Sequence, residues 1–267
     1  MATTPLPTPP ADPLRERATR LKLFGLVAHW DEHQGAPWLA TVVDHEESER
    51  QKRTLERRIR DAHLGRFKPI ADFDWQWPKQ LDRELVEELL TLEFLKTSGN
   101  VVLVGTSGLG KTMIAQNIVH QAVLRGHSAR FVTASELLND LVAQESTAAL
   151  GRRLRRYSHP TLLAIDEVGY LSYDSRHADL LFQVVSRRTE QKSTIITTNR
   201  EFREWNSVFP NASCIVALVD RIIQRAEVVE IEGESYRLKE AQEREAKRAA
   251  ERAARAASRG TKSVKPR

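Results

Sequence analysis

Cysteine is almost missing from this chain of 267 residues. Cys214 is the single one, which excludes an internal disulfide framework and leaves no cysteine pair for a structural zinc. The 8 histidines show no metal-ligand spacing. No stretch approaches the roughly 18 consecutive apolar residues that a membrane-spanning helix needs. Met1 to Pro13 is rich in proline and threonine and has neither the basic nor the apolar region of a secretory signal. These absences predict a protein of a reducing cytoplasm with no membrane partner. Charge of one sign does not dominate either. The 41 Lys and Arg stand against 36 Asp and Glu, a net +5 with a pI near 9.4, which permits polyanion binding without demanding it. No internal repeat is visible.

What is present begins with Gly105, Thr106, Ser107, Gly108, Leu109, Gly110, Lys111 and Thr112. The apolar run Val101 to Val104 precedes these residues and a helical stretch from Met113 to Leu124 follows, so strand, glycine loop and helix start come in the order of a phosphate-binding loop. Such a loop turns backbone N–H groups toward a triphosphate at a helix N-terminus. Lys111 then reaches the β- and γ-phosphates, and the Thr112 hydroxyl ligates Mg²⁺. ATP with Mg²⁺ is the expected ligand.

A second apolar strand, Leu162 to Ile165, ends in Asp166 and Glu167. Asp166 is placed for the Mg²⁺ shell. Glu167, turned differently, is the candidate to polarise a water against the γ-phosphate, which separates a hydrolase from a kinase. A third, Thr194 to Thr197, leads to Asn199, whose amide suits the attacking water or the γ-phosphate. Arg221 lies on a helical stretch before the last strand and suits a neighbouring subunit's phosphate. Arg237 follows that strand and suits its own. Surface pairing with Asp220 or Glu234 is the competing account for both arginines.

The organisation is of two kinds. Residues 1–13 read as a disordered tail and residues 14–66 as a small all-helical domain, with short helices broken near Gly25 and one long helix from Trp38 to Leu64. Residues 67–99 read as a linker holding Phe73, Trp75 and Trp77, followed by a helix over Leu81 to Lys96. The three aromatics either lean on a base or seal the core edge. In residues 100–238 short β-branched strands, including Arg130 to Thr133 and Val228 to Ile231, alternate with helices, which predicts a parallel sheet flanked by helices. Residues 239–267 read as a charged helix fraying into a basic tail.

Gly105 to Thr112, Leu163 to Glu167 with Gly169 and Tyr170, Thr197 to Arg200, Trp205, Ala217 to Arg221 and Gly233 to Arg237 together resemble the IstB-like ATP-binding proteins. These are helper ATPases of bacterial insertion sequences within the AAA+ superfamily. The resemblance runs over about residues 14 to 240. It implies an α/β P-loop AAA+ sheet without a helical lid, and a bacterial, cytoplasmic ATPase that forms a homo-oligomer on duplex DNA. It also implies a cognate transposase as partner, recruited and stimulated for target-site selection. By the same likeness Asn199 is the sensor-one residue, Arg221 a finger acting in trans and Arg237 the sensor-two arginine. Met113 stands where the family has histidine.

Two basic stretches are candidates for DNA phosphates. Arg152, Arg153, Arg155 and Arg156 sit between the second and third strands, where related initiators insert a helix toward nucleic acid. Arg50, Arg53, Arg57, Arg58 and Arg60 lie on the long N-terminal helix. A solvated helix face competes in both places, and Glu46, Glu47, Glu49 and Glu56 offer the second stretch local partners. Two other functions fit the same core: a DnaC-like replicative helicase loader, and a nucleotide-switched DNA-binding scaffold with little hydrolysis.

Overall fold

The computed structural model describes residues 12–210 and 212–260. The proline-rich start before residue 12 and the basic tail after residue 260 lie outside them. The chain forms two compact units, one up to Arg57 and one from Arg58. The division falls inside a helix, whereas composition changes near residue 66.

The first unit holds α1 (Pro13–Arg20), α2 (Phe24–Ala28), α3 (Trp30–His33) and most of α4 (Leu39–Ala62). Asp12 caps α1 by accepting the Leu14 N–H at 2.9 Å, and takes the Trp30 indole N–H at 3.0 Å on its other oxygen. Trp30 packs with Ala18, Leu21, Leu39 and Val43 in a small core. Gly25, expected at a break, lies inside α2. The chain turns instead at Lys22, which takes φ +53°.

In the second unit the helix expected over 81–96 is interrupted. Asp82 caps α5 (Arg83–Thr91), and buried Leu92 ends it at φ +68° before a short 3-10 turn, Glu93–Leu95. Strands and helices then alternate: β1 (Asn100–Gly105), α6 (Lys111–Leu124), β2 (Ala129–Thr133), α7 (Ala134–Val142), α8 (Thr147–Ser158), β3 (Leu162–Val168), α9 (Ser175–Ser186), β4 (Ser193–Thr198), α10 (Trp205–Val208), α11 (Ile215–Ile223), β5 (Ala226–Ile231) and α12 (Tyr236–Gly260). The five strands are parallel in the order β2-β3-β4-β1-β5.

The pleat sorts the apolar residues. Val102, Val132, Leu163, Ile165 and Ile196 join the helices α7, α8, α9 and α11 in one core, while α6 covers the other face. β4 is buried along its whole length between β3 and β1, as a central parallel strand should be. At the end of the sheet away from the glycine loop, the buried Arg188 guanidinium donates to Tyr157 and Pro160 carbonyls at 3.0 and 2.9 Å, to the Thr194 hydroxyl at 3.0 Å, and to the Ser193 carbonyl. It fastens the end of α8 to the start of β4.

Candidate functional site

The glycine loop joins β1 to α6 at the carboxyl edge of the sheet, where open parallel sheets collect ligands. Gly110 takes φ +90°, and a Cβ there would lie 2.5 Å from the Phe73 ring, so the position accepts only glycine. Lys111 is 4% exposed and donates to the Gly105 and Thr106 carbonyls at 2.6 and 2.7 Å. Burial pushes its pKa down to about 8, and Arg237 nearby adds to the effect while Asp166 and Glu167 oppose it.

Asp166 ends the regular part of β3 on the α6 face. The Thr112 hydroxyl lies 3.1 and 3.0 Å from its two oxygens, and the Thr197 hydroxyl of β4 donates to one of them. Burial raises the Asp166 pKa, against the pull of those hydroxyls and of Lys111. One residue on, β3 carries a bulge. The register with β4 slips between Ile165 and Val168, and Glu167 takes the left-handed φ of +63°. In a regular strand Asp166 and Glu167 would face opposite sides of the sheet. The bulge brings Glu167 to the same cleft as Lys111 and Thr112.

That cleft, about 520 Å³, is closed by parts of the chain that the core alone does not supply. One wall is the linker, where Phe67, Lys68, Phe73 and Trp77 line it. Asn117 of α6 fixes this wall by accepting the Ile70 N–H at 2.9 Å and donating to the Lys68 carbonyl at 2.9 Å. Trp75 stays out of the lining. It packs on Phe73 at 4.8 Å, with the Arg83 guanidinium 5.0 Å from its ring. The other wall is the turn after β5. There the Tyr236 N–H donates to the Gly108 carbonyl at 2.9 Å, and the Trp77 indole donates to the Glu234 carbonyl at 2.7 Å. Arg237, in the first turn of α12, faces the cleft. α12 therefore starts inside the core, and Lys239, paired with Asp74 at 3.1 Å, ties it to the linker.

The remaining candidates lie elsewhere. Asn199 follows β4, between the strands bearing the loop and the acid pair, and its buried Oδ1 has no hydrogen-bond partner among the described residues. Arg221 on α11 is not part of the cleft, and its guanidinium stacks 4.4 Å over the Phe182 ring. On α8, Leu154 and Tyr157 turn inward while Arg152, Arg155 and Arg156 are exposed, and Arg153 pairs with Asp140 at 3.2 Å. On α4, Arg50 pairs with Glu46 at 2.5 Å and Arg53 reaches the same carboxylate at 3.9 Å. Arg57, Arg58 and Arg60 form no ion pair among the described residues. Reading the sequence missed Thr197 and Asn117 as site residues. Both act through contacts between elements, for which local sequence carries no signal.

Residues 26–244 match the family described as "IstB-like ATP binding protein". The chain belongs to that family. IstB-like relatives align over most of its length. An insertion sequence IS5376 putative ATP-binding protein of Geobacillus stearothermophilus is 35% identical over 210 residues, 79% of this chain and 84% of the relative. An insertion sequence IS21 putative ATP-binding protein of Pseudomonas aeruginosa is 34% identical over 203 residues, 76% of this chain and 77% of the relative. The crystal structure of DnaI matches with a TM-score of 0.53 at 19% identity, over 63% of this chain and 92% of that one, a likeness of fold. The architecture is thus an α/β parallel sheet flanked by helices with the phosphate-binding loop between β1 and α6, and among the described residues of this IstB-like chain only α12 follows it. No helix of the described residues is long and apolar enough to cross a membrane.

Proposed function

We propose that this IstB-like protein is an ATPase of the bacterial cytoplasm that oligomerises on duplex DNA and recruits and stimulates a partner transposase for target-site selection. The observation that carries the hydrolytic half is the bulge at Glu167, which brings this carboxylate, next along β3 from Asp166, to the cleft of Lys111 and Thr112. Lys111 and the loop amides hold the triphosphate, Glu167 polarises the attacking water, and Asn199, which follows β4 between the strands bearing the loop and the acid pair, orients that water or the γ-phosphate. Arg237 neutralises charge within its own subunit. The adjacent oxygens of Thr112 and Asp166 are a donor set of the kind Mg²⁺ takes, and they would hold it. When bound, the ion supplies charge that neutralises the triphosphate oxygens.

The assembly half is supported by α11. It carries Arg221 outside the cleft of its own chain and exposes Val216 and Ile223, which suits a face covered by a neighbouring subunit. Arg152 and Arg155, exposed on α8, and the arginines of α4 supply positive charge for DNA phosphates, and the relatives named for insertion sequences support transposition as the setting. Imaging the protein with duplex DNA and a non-hydrolysable ATP analogue tests this reading. Oligomers on duplex DNA, lost in Lys111→Ala, are expected. Capture of a ring helicase together with a preference for single-stranded DNA contradicts it in favour of a helicase loader.

A further inference from the structure

A second cavity, about 400 Å³, lies at the opposite edge of the sheet from β5. It is lined by consecutive residues of β2 from Arg130 to Thr133. Val132 belongs to the core under α7, α8 and α9, while Phe131, one step along the pleat, faces the α6 side. Residues from both faces of one strand can line one cavity only where it straddles that strand's edge. β2 pairs only with β3 among the described residues, so that edge is the open one.

Positive charge converges there. Arg130 stacks 5.4 Å from the Tyr157 ring, and its Nε is buried without a hydrogen-bond partner among the described residues. Arg156 and His63 complete the rim. The two acids of the lining are already engaged. Asp140 accepts the Tyr157 hydroxyl at 2.6 Å and pairs with Arg153, and Glu136 accepts the Thr133 N–H at 3.2 Å in a capping box. Arg130 and Arg156 form no ion pair among the described residues. Burial and these two arginines lower the pKa of His63, while Asp61 and Glu136 oppose the effect.

We propose that the β2 edge docks an extended acidic segment of a protein partner, which adds to the sheet as a strand and places a carboxylate between Arg130 and Arg156. Edge strands take such segments through main-chain hydrogen bonds, with side-chain pockets setting the choice. Arg130 is only partly exposed beside the Tyr157 ring, within reach of a slim side chain and out of reach of a broad duplex, whose phosphates meet exposed cations. The chain's own outlying segments do not suit the pocket, since residues 1–11 and 261–267 contain no Asp or Glu.

The test uses the full chain without nucleotide and a fluorescein-labelled peptide, Thr-Val-Glu-Val-Asp-Val-Thr, against the same peptide with Gln and Asn in place of the acids. The acidic peptide should bind saturably, slow amide exchange at Arg130 to Thr133, and bind at least about tenfold more tightly than its amide counterpart. Arg130→Gln should weaken it to a similar extent without lowering the melting temperature. His63→Asn, which keeps the left-handed backbone at that position, is the second variant and should weaken it several-fold. Equal binding of the two peptides, or unchanged exchange at β2, overturns the proposal. So does duplex DNA that displaces the peptide and protects the same amides, which assigns the cavity to nucleic acid. Nucleotide-dependent assembly is read separately, so failure here leaves the proposed function standing.

Discussion

The Thr197 hydroxyl accepts the Glu167 N–H at 2.9 Å while donating to Asp166, so one side chain of β4 holds both acids of β3. Glu167 needs such a hold because its left-handed backbone is strained for a side chain with a Cβ. Thr197→Val keeps the shape and removes both bonds. Urea unfolding should show a loss of about 2 kcal/mol, since a buried carboxylate and an amide lose partners. ATP turnover should fall with nucleotide binding retained. Unchanged turnover would show that the clamp does not aim Glu167.

The depressed pKa of Lys111 predicts how nucleotide affinity follows pH. The free protein loses this proton as pH rises through about 8, and a bound polyphosphate restores it. The association constant should therefore be level below about pH 8 and fall above it, with proton uptake visible as a buffer-dependent heat in calorimetry. The stability sign is opposite. The folded pKa lies below the unfolded 10.5, so from this group the free protein gains stability as pH rises from about 8 to 10.5. Affinity that is flat to pH 9.5 would contradict the assignment.

Asn117 makes its linker contacts with a side chain that is 6% exposed. Asn117→Leu should detach the wall bearing Lys68 and Phe73 and leave the glycine loop intact. ATP should then bind about tenfold more weakly, or about 1.4 kcal/mol, while inorganic tripolyphosphate binds as before. An equal loss for both ligands would place the effect in the loop itself.

Arg188 has no acid partner among the described residues and satisfies backbone carbonyls from the end of α8 and the start of β4. Arg188→Met should cost about 3 kcal/mol in a urea melt, because those carbonyls stay buried. A cost below about 1 kcal/mol would show that water replaces the guanidinium.

The sheet was legible because each strand is a short β-branched run. All five expected strands appear, with ends shifted by a residue or two except at β3, which runs on to Val168. The glycine loop and the acid pair were legible because their chemistry is local. Three things were not. The bulge at Glu167 depends on Thr197 of the neighbouring strand, a pairing that no run of residues announces. Phe73, Trp77 and Arg237 were already candidates for the cleft, but the joining of its two walls through the Trp77 indole and Lys239 is not written in either segment. Leu92 fits a helical pattern yet ends α5, since its burial overrides propensity.

The most direct test of the central claim is the ATP turnover of Glu167→Gln, measured with duplex DNA alongside light scattering for assembly. The substitution keeps the size of the side chain and removes the base. Assembly on DNA in the presence of ATP should persist, with turnover reduced at least about a hundredfold. Turnover at the rate of the unaltered protein would contradict the role of Glu167 and the hydrolytic account built on it.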